Sequence, residues 1–345
     1  MMRRISFSLR SLLRPCIPLK TRIQNAAAAN LIVAAILVAH AMPAEAMEIT
    51  VKGHQVVLTG PVIGDDFGKV KKILANDPTI DTAILRNSPG GDAPTGYRIG
   101  SFFRAKGLRT AVSGYCYSSC SRMFLGGKTR YFTNDFPPEY TDVGFHGHYN
   151  NCHLARAVVE RLGLKNWIIK YSDGKADPAL VERWINIPLC SGMAHFFHPE
   201  LFKRDGVSTF MCQGDEPMAR SVLGCEPIHK TALDLGVVTS LEIVRSDDQG
   251  EIQARLPKRP KATNFAAIED IKMVPLLNDA GRQGYQRFLA AGLPRAFVIS
   301  RSGSWAFKAG GFDAITPALS RCAEVAKQTC KLYAVDDDVV WSGWE

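Results

Sequence analysis

The sequence predicts an α/β protein, a mostly parallel sheet with crossover helices, followed by a small α+β module. Strand-like and helix-like segments alternate from residue 47 to residue 133, the order that builds parallel strands through crossover connections. Residues 246–263 then turn polar and basic, with Pro257 and Pro260, and read as a linker. Beyond them, residues 264–345 restart a compact pattern of helices and strands.

Residues 47–62 alternate as short strands about Gly53, with Ile49 and Val51, then Val56 and Leu58. Residues 65–76 place Phe67, Val70, Ile73 and Leu74 on one helical face. An apolar strand, Thr82-Ala83-Ile84-Leu85, ends in Asn87-Ser88-Pro89-Gly90-Gly91. A helix follows to Lys106, and a strand covers 108–113. A short helix from Ser118 to Leu125 precedes a strand near 129–133. The loop 134–141 is rich in proline and acid, and a strand at 142–147 carries His146. Residues 153–163 form an amphipathic helix with Leu154, Val158 and Leu162. Asp177-Pro178 is a helix start, a cap followed by proline in the first turn. The stretch 231–244 reads as a helix ending near Gly236 and a strand from Val237 to Val244. In the last segment a helix at 280–291, a strand Ala296–Ser300, a turn at Gly303 and a strand near Trp305 come first. A helix begun by Thr316-Pro317 follows, then strands at Cys330–Val335 and Val339–Trp341. A module this small gains from a disulfide.

With 46% hydrophobic and 22% charged residues among 345, the composition excludes intrinsic disorder, collagen and coiled coil. Of the formal charge of +9, +5 lies in residues 1–46, six basic side chains against Glu45, which leaves +4 for residues 47–345. That small excess argues against a nucleic-acid partner. Residues 1–46 read as a signal peptide: a basic stretch, the apolar run Leu31–Ala39, and Ala44-Glu45-Ala46 before Met47, with the cut after Ala46. The expected location is periplasmic or secreted. The apolar run is short for a membrane span, and an uncleaved anchor is the second reading.

Eight cysteines follow the leader, an even number that in an exported chain suggests disulfides. Short loops favour Cys212–Cys225 and Cys322–Cys330. His146, His148, Cys152 and His153 match no standard metal spacing, so neither a metal nor a cofactor is expected. His195-Phe196-Phe197-His198 reads as a packed aromatic patch, and Lys258-Arg259-Pro260-Lys261 as a solvated linker.

Three segments carry the candidate chemistry. In Asn87-Ser88-Pro89-Gly90-Gly91, two glycines at a strand end leave backbone N–H groups able to approach a developing oxyanion. By itself this is more simply a strand-to-helix turn. In Gly114-Tyr115-Cys116-Tyr117-Ser118-Ser119-Cys120, a serine at a helix start is either an N-cap or a nucleophile. In Val143-Gly144-Phe145-His146-Gly147-His148, a histidine on an apolar strand is either a satisfied structural residue or a general base.

Taken together, over residues 56–150 and more weakly 228–244, these segments resemble the Clp protease proteolytic subunit and other serine peptidases of the crotonase-like fold. The matching features are Asn-Ser-Pro-Gly-Gly at 87–91, Gly114 four residues before Ser118, Gly126-Gly127, Arg130-Tyr131, and His146 at the end of an apolar strand. The late Ala232-Leu233-Asp234-Leu235-Gly236-Val237-Val238 matches a helix-to-strand turn. The resemblance implies a crotonase-like β-β-α spiral over 47–245, with Ser118 as nucleophile and His146 as base. It also implies an oxyanion hole from the N–H groups of Gly91 and Ser119, and self-assembly. Ser119 competes with Ser118 as nucleophile, and the glycine offsets favour Ser118.

The chain departs from that family in its third member. Offset counting from Gly236 lands on Gly224 or Cys225, neither an acid. Asp215, Glu216 and Glu226 are the nearby substitutes, Glu226 the closest in sequence. Cys116 and Cys120 flanking the serine are also foreign to the Clp branch, and Lys128 is no clear partner for a Ser-Lys pair. Export separates the chain from cytosolic ATP, so an ATP-driven unfoldase is not expected as a partner. The leading expectation is an exported serine peptidase acting on peptide or protein in the cell envelope. The alternative is a catalytically silent binding or scaffold protein that kept the fold.

Overall fold

Ten strands form the main sheet of the computed structural model, which describes residues 46–218 and 221–344. Most of the expected leader, residues 1–46, lies outside the described residues. The first half follows the alternation in the sequence. Strands β1 (Glu48–Lys52) and β2 (Gln55–Thr59) form a hairpin, and α1 (Asp66–Asn76) leads into β3 (Thr82–Ser88). Helix α2 (Ala93–Lys106) leads into β4 (Arg109–Tyr117), and α3 (Ser119–Leu125) into β5 (Thr129–Thr133) and β6 (Asp142–Phe145). Strands β2, β3 and β4 pair in parallel, and β3 is buried along nearly its whole length, as a strand covered on both faces must be.

The caps are local. Asp92 accepts a hydrogen bond from the Thr95 N–H at 2.8 Å to start α2, and Gly107, with φ 70°, ends it. Helix α3 is buried along its whole length, packed between the sheet and α2. A Cβ on Gly96 of α2 would sit 2.5 Å from the Ser119 carbonyl oxygen, so this close crossing requires glycine.

Strand β4 is shared. Its first half, Arg109–Val112, pairs with β5, and its second half, Tyr115–Tyr117, pairs with β6. The chain then forms a small hairpin, β7 (Tyr149–Asn150) and β8 (His153–Leu154), and helices α4 (Arg156–Arg161), α5 (Leu164–Tyr171) and α6 (Pro178–Ile185). Strands β9 (Met193–Phe197), β10 (Thr209–Cys212) and β11 (Glu226–Pro227) extend the sheet beyond β6 in antiparallel sense. Only Ile243–Val244, strand β12, of the strand expected at 237–244 is regular, paired with β5. The helix expected to end near Gly236 is a series of turns. The core lies between the sheet and the helices and includes Val56, Leu85, Val112, Phe124, Phe145, Trp184 and Phe196.

Residues 246–263, expected as a linker, contain helix α7 (Gln249–Arg255). Its Ile252 is buried with Phe136 and Tyr140, and Leu256 and Phe312 pack against them. The two apolar residues stand four apart, one helical face inside a polar composition. Asp248 at the start of α7 holds Arg86 of β3 through two hydrogen bonds of 2.7 and 2.8 Å.

The last segment contains α8 (Asp279–Leu289), β13 (Arg295–Ser300), β14 (Trp305–Ala309), α9 (Ile315–Ala326), β15 (Cys330–Val335) and β16 (Asp338–Val339). The strands form an antiparallel sheet in the order β14-β13-β15-β16. Phe297 and Ile299 of β13 face the cluster of α8, and Ala296 and Val298 that of α9, the alternation of a strand. Cysteines pair as Cys116–Cys120, Cys152–Cys190, Cys212–Cys225 and Cys322–Cys330.

Asp336, buried in the turn after β15, joins this module to the rest. It accepts hydrogen bonds from the Tyr140 hydroxyl and the Arg295 N–H, and pairs with Arg259 at 3.0 Å. Asp336→Ala leaves these donors without their acceptor and is expected to destabilise the protein by about 3 kcal/mol. Asp338→Ala, at an exposed position beside Arg259, is expected to cost less than half of that. Urea unfolding of both variants measures the difference.

Candidate active site

Strand β4 ends at Tyr117 and α3 begins at Ser119, so Ser118 makes the whole turn. It does so at φ 56° and ψ −122°, a conformation that is rare outside glycine. Three restraints hold it. The Ser118 N–H donates to the Gly144 carbonyl of β6 at 3.1 Å. The Ser118 carbonyl accepts from the N–H and the hydroxyl of Ser121, at 3.0 and 2.6 Å. The Cys116–Cys120 disulfide spans the turn, with its Cα atoms 5.2 Å apart. A strained strand-to-helix turn of this kind lifts a serine side chain clear of both elements. Ser118 is half-buried, while Ser119, Cys116 and Cys120 are buried.

Ser119, the competing nucleophile, faces inward. A Cβ on Gly96 would lie 2.9 Å from the Ser119 Cβ, and the Ser119 hydroxyl is buried against α2. The backbone N–H of Ser119 is another matter. It belongs to the first residue of α3 and so has no acceptor within the helix.

The Gly90-Gly91 turn presses on the same place. Gly90 has φ 86°, and a Cβ there would lie 2.5 Å from the Tyr117 carbonyl oxygen and 2.6 Å from the Ser118 Cβ. Val62 bridges the turn from its far side: its N–H donates to the Gly90 carbonyl at 2.9 Å, and its carbonyl accepts from the Asp92 N–H at 2.8 Å. In such a parallel bridge the N–H of the middle residue, Gly91, points away from the partner. Among the described residues, neither the Gly91 nor the Ser119 N–H has an acceptor.

Asp142 and Gly144 of β6 oppose Tyr115 and Tyr117 of β4, so all four share one face of the sheet. His146 follows directly after the end of β6. Its ring lies 4.9 Å from the Tyr149 ring, and its carbonyl accepts a 2.6 Å hydrogen bond from Arg122 of α3. The backbone therefore brings Ser118 and His146 to adjacent strand ends.

Other expected residues fall elsewhere. Glu226 is a correction. Phe145, Ala194, Met211 and Glu226 stand in register on four successive strands, which puts Glu226 about 14 Å from the end of β6. Its carboxylate pairs with Arg183 in the exposed layer. Glu216 accepts from the N–H groups of Gln213 and Gly214 and shapes its own loop. Cys152 is bonded to Cys190, which removes its thiolate from the His146, His148 and His153 group. No set of three or more metal-ligating side chains occurs among the described residues.

Asp142, not singled out from the sequence, is a buried acid on the strand that precedes His146, and its partners are Tyr117 and His195. It receives the Tyr117 hydroxyl at 2.9 Å and binds His195 Nδ1 at 2.7 Å. His195 opposes Gly144 across β9 and packs edge-on against the Tyr117 ring at 5.6 Å. The pairing of β6 with β9 that brings His195 to Asp142 leaves no local signal in the sequence.

No family model matches this chain, and no curated protein matches it. Among solved structures it is similar to ClpP1 from Listeria monocytogenes, at 16% identity and a TM-score of 0.36, over 57% of this chain and 94% of that one. It is likewise similar to an asparagine-to-aspartate mutant of ClpP1 from Listeria monocytogenes, at 15% identity and a TM-score of 0.35 with the same coverage.

His148, two residues past His146, titrates low. Burial, with Arg122 nearby, pushes its pKa down from 6.5 to about 4, and its Nε2 lies 3.0 Å from the Tyr97 hydroxyl. Between those two pH values the unfolded chain binds the proton and the folded chain does not, so stability falls as pH drops through that window. His148→Gln is expected to flatten that slope, measured as the urea midpoint from pH 7 to pH 4.

Proposed function

We propose that the protein is an exported serine hydrolase, a peptidase that works through Ser118 and His146 without ATP, on a crotonase-like spiral. The observation that carries this reading is the Ser118 turn, a serine at positive φ between the unengaged N–H groups of Gly91 and Ser119. Four disulfides favour an oxidising compartment and so support export.

In this mechanism His146 removes the hydroxyl proton as Ser118 Oγ attacks the acyl carbon of a peptide bond. The carbonyl oxygen gains the negative charge and turns toward the N–H groups of Gly91 and Ser119. Removing one such donor costs about 100- to 1000-fold in rate. His146 passes its proton to the leaving amine as the C–N bond breaks. Water, deprotonated by His146, then attacks the acyl-enzyme, and Ser118 recovers its proton. Arg122 acts at one remove by fixing the His146 carbonyl. Self-assembly and a substrate in the cell envelope belong to the same reading.

Labelling the purified protein with a fluorophosphonate tests it. Wild type is expected to label, Ser118→Ala to lose labelling, His146→Ala to slow it by at least 100-fold, and Ser119→Ala to retain it. Gly90→Ala, whose methyl would displace Ser118, is expected to label at least 10-fold more slowly. Folded wild type that stays unlabelled from pH 6 to pH 9 sinks the hydrolase reading in favour of the silent binding protein.

A further inference from the structure

The C-terminal module faces Pro89 and the end of β4 at Tyr115 and Tyr117. A cleft of about 420 Å³ lies between them. Its floor is Pro89, Tyr115 and Tyr117, and its far wall is the backbone of Ala290–Leu293 and Ala309–Gly310. Two of the floor residues, Pro89 and Tyr117, are immediate chain neighbours of Gly90 and Ser118. The Tyr115 and Tyr117 rings stack with centroids 5.0 Å apart and form an aromatic shelf.

The far wall is held firmly. Buried Arg295 donates to the carbonyls of Phe288, Leu289 and Ala291, which closes the end of α8. The Gly310 N–H donates to the Pro294 carbonyl at 2.8 Å. Arg295 also pairs with Asp337 at 2.9 Å, and Asp337 with Arg204 of the main domain at 2.8 Å. Nothing in the cleft lining is charged, and no wall side chain is larger than leucine. Such a slot admits an extended backbone and an apolar or aromatic side chain, and it offers an anionic side chain no cationic partner.

We infer that this module is the second wall of the substrate site: the cleft receives an extended polypeptide, with an uncharged aromatic or aliphatic side chain lying on Tyr115 and Tyr117. The inference rests on the hydrolase reading for its position and goes beyond it in assigning the module a part in specificity.

Ala290→Trp narrows the cleft from an exposed wall position, and Ala280→Trp, at the other end of α8, serves as the control. With the full-length chain and reduced, unfolded casein as substrate, Ala290→Trp is expected to lower kcat/KM at least 10-fold, mainly through KM. It should also shift the mapped cleavage sites toward Gly and Ala. Labelling by diisopropyl fluorophosphate, too small to need the cleft, should stay within twofold of wild type. Ala280→Trp should change neither. Unchanged casein cleavage and unchanged cleavage sites in Ala290→Trp overturn the inference while leaving Ser118 as the nucleophile.

A binding measurement separates the two readings. Fluorescein-labelled casein fragments are titrated into Ser118→Ala and followed by anisotropy. Binding that Ala290→Trp weakens at least 10-fold supports the cleft whether or not wild type hydrolyses. Binding that Ala290→Trp leaves intact, or no binding at all, overturns it.

Discussion

Everything in the candidate site depends on one backbone conformation, the positive φ of Ser118. A residue other than glycine pays about 1–3 kcal/mol to stay there and persists only where its surroundings over-determine it. Here the restraints come from three levels of structure. The sheet supplies the Gly144 carbonyl, the helix supplies Ser121, and the covalent chain supplies the Cys116–Cys120 link. Strands β4 and β6 and helix α3 must therefore all be in place before the serine takes its pose. The small residues around it follow from the same demand, since Gly90 and Gly96 leave room for the Ser118–Ser119 backbone where a side chain would collide.

Helix α3 then does more than pack. Its first residue offers a free N–H beside Ser118, and Arg122, one turn later, grips the His146 carbonyl. Arg122 is buried, and no acidic side chain pairs with it among the described residues. Burial pushes its pKa down, while Tyr97 and Tyr149 favour its charged form. A buried guanidinium without a carboxylate is a costly way to fill space. Its hydrogen bond to the His146 carbonyl ties the end of β6 to the helix that follows Ser118.

The parts of this arrangement that were legible in the sequence are the local ones. Asp92 and Pro94 mark the start of α2, Pro89-Gly90-Gly91 marks the turn before it, and the alternation around Val143 and Phe145 marks β6. Ser118 and His146 are singled out through the family resemblance, and each stands directly after a local element, β4 and β6. What failed to show was decided by pairing between distant segments. Met193–Phe197 and Thr209–Cys212 are short apolar runs with no pattern of their own, and they became strands only because β6 had an open edge. Asp142 and His195, 53 residues apart, meet across that pairing. Glu226 looked close by counting along the chain, yet three strand spacings separate it from β6. Helix α7 was hidden because a single buried Ile252 and the neighbouring Leu256 carry its apolar face.

The same distinction governs the C-terminal module. Its elements follow from alternation and caps, and its attachment combines an apolar cluster, in which Phe312 packs with Phe136, Tyr140 and Ile252, with directional polar bonds. Asp336 alone connects Tyr140, Arg259 and Arg295, residues drawn from the main domain, the segment read as a linker, and the module itself. Apolar packing resists separation but is not directional. A buried carboxylate with three fixed donors is directional, since moving any donor leaves an unsatisfied group in a low dielectric. The link fixes the orientation of the module as well as its presence. Fixed orientation is what the proposed wall needs if it is to select among side chains.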